Sequence, residues 1–386
     1  MLNDRYSRHG LINWFSQDRV QNARFVVAGA GAIGNEVIKN LALLGTGHIA
    51  IHDFDRIERH NLTRSVLFRE DDVGQHKAEV AARRACELDP AVRATAVPGD
   101  FWKTLSFEAL GRADCVIGCV DNFEARIRLN RLCRLAGTNL IDVAIDTRRA
   151  SVEVFPFATV ADCACYECTL PAGVYTRIAE RYSCAGLRRR GLVERLIPTT
   201  ILTSSAAGAL AVSSAMRVLH APQEMQSAHR ILTDTMGATT TMAPLARSEM
   251  CPGCADLMPE VRVVPTDPVI GRASLREASC GQDVCLRLSD AVISGGNCTA
   301  CGHELNAGGP PRLLLARDQD DSLARCPKCG GDMTFVAGDQ FTAGELEERF
   351  LGQRLPARFA VVDHDETSLV LDFAACQFPA ARSSEG

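Results

Sequence analysis

Between Arg24 and Val143 short apolar runs alternate with amphipathic helical stretches, and this alternation constrains the fold more than any other feature. The runs RFVVAG, HIAIHDF, ADCVIGCV and NLIDVA read as strands with almost no polar face. Such strands must be covered on both sides. HKAEVAARRACEL and FEARIRLNRLCRLAG, which lie between them, have the spacing of helices that cover a sheet. The pattern predicts an α/β, doubly wound parallel sheet. RASVEVFPF then alternates apolar and polar residues, as an antiparallel extension would, and a small-residue helix near Ser204 to Leu219 precedes a further strand in HRILTDTM.

Composition changes beyond Cys254. The remaining segment has short strands, Gly/Pro turns, a bend at Ala307 to Pro311 and a compact cysteine cluster. At 386 residues the chain exceeds one ordinary core, so the expected organisation is a domain over 1–257 and a small accessory module over 258–386. A net charge of -5 without any Lys/Arg run argues against a nucleic-acid partner. MLNDRYSRHG lacks the apolar stretch of a secretory signal, which makes the cytoplasm the expected location. Leu196 to Leu219 is apolar but interrupted by Pro198 and Gly208, so it reads as a buried helix and no membrane partner is expected.

Gly29-x-Gly31-x-x-Gly34 lies between the first strand and the first helix, and Asp53 ends the second strand. Glycines there permit a tight turn and close approach of phosphate to a helix N-terminus, while an acid at that strand end can bond ribose hydroxyls. Taken alone, this pair suits an NAD-dependent oxidoreductase as well as any other nucleotide-binding protein.

The next segment, DFDRIERHNLTRSVLFREDDVGQHK, resembles the adenylation motif of ubiquitin-activating enzymes, ThiF and MoeB. The resemblance runs from Arg5 to about Cys254, through RYSRHG, the glycine loop, DFD, NLTR, GQHK and the VDN turn in family order. It implies a Rossmann-like adenylation domain that activates the C-terminal carboxylate of a ubiquitin-like β-grasp protein with ATP and Mg2+. Gly29, Gly31, Gly34 and Asp53 would hold the nucleotide, and Asn61, Arg64 and Lys77 would face the phosphates. Asp121, where the ADCVIGCV strand ends, would position Mg2+ with Asn122 beside it. Arg8 would reach the ATP of a partner subunit in a homodimer. Lysine occurs only at Lys39, Lys77, Lys103 and Lys328, so finding one at the expected place is informative. Three positions depart from the family pattern: His60 precedes Asn61, Ser65 follows Arg64, and His9 follows Arg8. The activated product is either passed through an enzyme thioester to a conjugating enzyme or converted to a thiocarboxylate on a sulfur carrier. A non-catalytic nucleotide-binding scaffold is the rival of a different class.

Seventeen cysteines, many in Cys-x-x-Cys pairs, suggest metal thiolates in a cytoplasmic chain. Cys298/Cys301 and Cys326/Cys329 have the spacing of a zinc ribbon, and each pair is followed by glycine. For Cys165/Cys168 and Cys251/Cys254, the resemblance implies a single tetrahedral Zn2+ site. The spacing also leaves open a pairing of Cys251/Cys254 with Cys298/Cys301. In ERYSCAGLRRRG, Cys184 stands roughly where relatives place a reactive cysteine, and Arg181, Arg188, Arg189 and Arg190 would favour its thiolate. Cys163, Cys280 and Cys285 are the next candidates.

Overall fold

The computed structural model describes residues 4–171, 173–175, 199–254, 257–278, 284–305, 313–316 and 325–374. They fall into two compact units, one within Met1–Pro171 and Arg195–Asp256, the other chiefly within Leu257–Gly386. Cys184, Cys280 and the arginines around Cys184 lie outside the described residues.

The first unit begins with α1 (Gln17–Asn22) and continues through β1 (Arg24–Ala28), α2 (Ala32–Leu43), β2 (His48–His52), α3 (Lys77–Leu88) and β3 (Arg93–Val97). Two short helices follow, α4 (Phe101–Thr104) and α5 (Phe107–Arg112), and then β4 (Cys115–Gly118), α6 (Phe123–Ala136), β5 (Leu140–Ile145) and β6 (Arg149–Phe155). After Arg195 come α7 (Ile201–His220), β7 (His229–Asp234) and β8 (Thr239–Pro244). The sheet order is β3-β2-β1-β4-β5-β6-β7-β8. The strands from β3 to β5 pair in parallel, and those from β5 to β8 pair antiparallel.

The four apolar runs are β1, β2, β4 and β5. β3 was not among them, because its apolar residues are two alanines and Val97, and at a sheet edge it stays partly exposed. On β5 the two faces divide residue by residue. Asp142 pairs with Arg126 of α6, whereas Val143 joins the core formed with α2, α3 and α7. In that core Val27, Val37, Leu41, Ile49 and Ile51 are fully buried, each contributing roughly 1.5–3 kcal/mol. α7 is apolar and long enough to cross a membrane by composition, yet over half of it is buried. Its small residues let it pack tightly on α2: a Cβ on Gly208 would lie 2.5 Å from the Glu36 Cβ.

The second unit contains β9 (Glu260–Pro265), α8 (Ala273–Ala278), β10 (Cys285–Cys298), β11 (Leu314–Leu315), β12 (Met333–Thr342), α9 (Ala343–Phe350), β13 (Phe359–His364) and β14 (Thr367–Asp372). Its sheet runs β11-β10-β13-β14-β9, with β12 also paired to β10. Leu286, Leu346, Phe350, Val362 and Leu371 are among its core residues, and Thr342 and Glu345 form a capping box at the start of α9. The long β10–β12 ladder carries Cys298 at its end opposite Met333.

Candidate functional site at the carboxyl ends of β1, β2 and β4

The three glycines are required for three different reasons. Gly29 follows β1 with φ +98°, and a Cβ there would lie 2.6 Å from the Cys119 carbonyl oxygen. Gly34, in the first turn of α2, would place a Cβ 2.0 Å from the Gly29 carbonyl oxygen. Gly31, the N-cap of α2, would meet nothing within 4 Å. Two glycines therefore let the chain fold onto itself, and the third leaves open space beside the N–H groups at a helix start, where an anion is favoured. Gly34→Ala is expected to lower stability by about 3 kcal/mol, since backbone must move to admit the methyl group. Gly31→Ala should cost only about 1 kcal/mol, the loss of a glycine N-cap, as a thermal melt would register.

Asp53 ties this turn to the next loop. Its Oδ2 accepts from Ala30 N at 2.7 Å and its Oδ1 from Asp55 N at 2.7 Å. Burial pushes its carboxyl pKa up, opposed by the Ala30 N–H and the charge of Lys77. Lys77 opens α3, is buried, and donates from Nζ to Asp55 Oδ2 at 2.7 Å. Asp55 is a contact that sequence reasoning missed. Buried Asn61 accepts from Glu58 N at 2.9 Å through Oδ1, which sets the turn, and its Nδ2 lies 3.1 Å from His60 Nε2. Arg64 is partly buried and donates to the His60 carbonyl at 3.0 Å. Among the described residues its guanidinium has no carboxylate within 4.0 Å. A cation in that condition is available to a polyanion.

β1 and β4 are neighbours, with Ala28 opposite Gly118, and the sheet runs in opposite chain directions of order on either side of them. This is the switch point at which doubly wound sheets bind ligands. The turn after β4 presents Asp121, exposed, whose Oδ1 accepts from Asn122 Nδ2 at 3.1 Å. Asn122 is the N-cap of α6, its Oδ1 accepting from Ala125 N at 2.9 Å, so the capping function and the exposed carboxylate fall on adjacent residues. Arg126, which the sequence reading left as part of an amphipathic helix, is buried and donates to the Val120 and Val143 carbonyls at 2.7 and 2.9 Å while pairing with Asp142. It thereby sets the turn that carries Asp121. Arg8 is exposed, in a segment fastened to the end of α3 by Arg5 and Tyr6, both of which contact Asp89.

The eight paired cysteines form two separate tetrads, Cys165, Cys168, Cys251 and Cys254 in the first unit and Cys298, Cys301, Cys326 and Cys329 in the second. The alternative pairing of Cys251/Cys254 with Cys298/Cys301 is not the arrangement found. Sulfur–sulfur distances are 3.6 Å for Cys165–Cys251, 3.8 Å for Cys165–Cys168 and 3.5 Å for Cys168–Cys254. In the other tetrad they are 3.5 Å for Cys298–Cys329 and 3.7 Å for Cys301–Cys326. A tetrahedral ion with bonds of about 2.3 Å to sulfur needs edges of about 3.8 Å, so both sets fit zinc and leave no open position. Of the other cysteines, Cys163 is buried and its thiol is pushed up to about 12, chiefly by burial, whereas Cys285 is exposed.

Fold and site define an α/β protein with a glycine turn and a set of charged side chains at its switch point and a four-cysteine cluster in the same unit. The chain belongs to the ThiF family, whose sequence profile matches residues 6–253. It is 31% identical over 256 residues to the SAMP-activating enzyme E1 of Haloferax volcanii, covering 66% of this chain and 89% of that one. It is also 31% identical over 258 residues to the sulfur carrier protein adenylyltransferase of Thermus thermophilus, covering 66% of this chain and 91% of that one. Among solved structures it resembles E. coli MccB with ATP, with a TM-score of 0.51 and 26% identity over 65% of this chain and 74% of that one.

Proposed function

We propose that this chain uses Mg-ATP to adenylate the C-terminal carboxylate of a ubiquitin-like or sulfur-carrier β-grasp protein. The observation that carries the reading is the gathering of Asp53, Lys77 and Asp121 with the Gly31 opening at the ends of three adjacent strands. The names of the relatives support it, since they are an activating E1 and an adenylyltransferase. A carboxylate oxygen of the substrate attacks the α-phosphorus, the bond from that phosphorus to the bridging oxygen breaks, and pyrophosphate leaves. Charge develops on the departing oxygens, so Lys77 and Arg64 stabilise the transition state, with Asn61 beside them. Mg2+, with Asp121 as an anchoring carboxylate, neutralises phosphate oxygens when bound. No side-chain nucleophile is needed for this step; positioning and charge suffice. An oxidoreductase would have no use for Lys77 and Asp121.

In the same proposal the protein is a cytoplasmic homodimer, Arg8 reaches the nucleotide of the partner subunit, and both tetrads hold Zn2+ as structural ions. The test is ATP:pyrophosphate exchange, which should appear only when a β-grasp protein with a free C-terminus is present; exchange without it, or none with any such protein, overturns the reading. Gly31→Ala should weaken ATP binding by about tenfold, or about 1.4 kcal/mol, by occupying the opening. Transfer to Cys184 and then to a conjugating enzyme is the finer part of the proposal. It predicts a covalent adduct with the β-grasp protein, seen on a non-reducing gel, removed by thiol and lost in Cys184→Ser while exchange persists. An equal adduct in that variant would move the nucleophile to another cysteine, with exposed Cys285 preferred over buried Cys163.

A further inference from the structure

Glu167 lies inside the Cys165-x-x-Cys168 turn, yet it makes no sense as a metal-site electrostatic device. Four thiolates around a divalent ion already leave excess negative charge, and a buried carboxylate beside them adds to it. Its contacts give a different account. Arg131 of α6 grips it at two points, Nε to Oε1 at 2.9 Å and Nη2 to Oε2 at 2.9 Å, and Asn130 Nδ2 adds a bond to Oε1 at 3.3 Å. The Glu167 side chain is fully buried. Asn130 Oδ1 also accepts from Tyr166 N at 3.0 Å, so backbone and side chain of the turn are both fastened to the same helix. On the other side Glu167 packs against the second cysteine pair: a Cβ on Gly253 would lie 2.3 Å from its Oε1. One carboxylate therefore touches both Cys-x-x-Cys turns and α6.

α6 carries a second set of contacts one turn earlier. Arg126 holds the Val120 carbonyl at 2.7 Å and pairs with Asp142, fixing the turn that ends in Asp121. Tyr166, the residue before Glu167, is buried near this pair. A helix is stiff over one turn, so what seats its middle also sets its first residues.

We propose that Glu167 and Arg131 are positioning residues that seat the Cys165/Cys168/Cys251/Cys254 metal turn on α6, and that through α6 they couple metal occupancy to the setting of Asp121. The coupling to nucleotide rests on the adenylation reading; the seating does not. Two measurements on the full chain test it. First, zinc release to a chromogenic chelator should show two phases. Glu167→Gln should speed the phase of the first tetrad at least tenfold and leave that of the Cys298 tetrad unchanged, which also reports that the chain is folded. Second, titration with Mg-ATP should show a dissociation constant raised at least fivefold in Glu167→Gln and in parent protein stripped of the first metal. The two effects should not add, so stripping Glu167→Gln should change its affinity no further. Equal release rates in parent and variant overturn the seating, and metal loss without a change in Mg-ATP affinity overturns the coupling. If the parent fails to bind Mg-ATP, it is the adenylation reading that falls, while the release rates still decide the seating. Should Glu167→Gln disturb both phases, Arg131→Lys, which keeps the charge but gives up the two-point grip, is expected to speed only the first.

Discussion

In Lys77→Ala, pyrophosphate exchange is expected to fall by about a hundredfold or more, equivalent to roughly 2.7–4 kcal/mol of transition-state stabilisation. The expectation follows from where the lysine sits. Its Nζ is nearly buried in the first turn of α3, held by Asp55, and it acts on Asp53, so it is fixed in place before nucleotide arrives. Removing it subtracts a cation and, in the proposed complex, would leave Asp53 and Asp55 facing the triphosphate unopposed. The loss is not one of folding, because the Asp55 side chain is half exposed and an ion pair of that kind contributes only about 1 kcal/mol or less. The thermal midpoint of the variant should therefore stay near that of the parent while exchange collapses. Asp121→Ala should behave alike, since its carboxylate is exposed and the α6 cap belongs to Asn122. Full exchange in both variants would sink the assignment of the site.

Metal analysis of the purified chain should find about two equivalents of zinc, and Cys298→Ser combined with Cys326→Ser should reduce this to about one. The same double variant is expected to lose the structure of the ribbon while the first unit keeps its fold. Among the described residues the buried cluster around that tetrad consists of Cys298, Cys326 and Met333, with Leu305 and Phe335 against it. So few apolar groups cannot offset the conformational entropy of ordering the hairpin tip. A bound zinc ion would supply the difference, since structural zinc in zinc-finger peptides binds with about 10–16 kcal/mol and that energy is expressed as folding. Limited proteolysis should accordingly cut near the tip of the β10–β12 ladder in the variant and spare it in the parent. One equivalent of metal in the parent, unchanged by the substitutions, would exclude a metal from the ribbon.

The parts of the site that were legible in the sequence are those encoded within a short stretch. Gly29, Gly31 and Gly34 announce a strand-to-helix turn because a local backbone path demands them, and Asp53 follows at the distance one helix and one strand require. The ribbon pairs were legible for the same reason. β3 escaped notice because an edge strand of alanines carries little apolar signal, and Arg126 did so because an arginine on an amphipathic helix is usually solvated. Its burial depends on Asp142 and on two carbonyls supplied by other elements.

The sequence by itself determined the doubly wound class, the glycine turn after the first strand and the family, because buried strands, helix faces and tight turns are each dictated by neighbours in the chain. Only the tertiary structure decided which distant groups meet. Cys165 faces Cys251, 86 positions away, in preference to any pairing with the ribbon. Arg131 grips Glu167 across 36 positions, and the turn after β4 meets Gly29 because β4 pairs with β1. Those encounters follow from strand order and from which face of a helix is buried, and a pattern confined to one segment does not contain either.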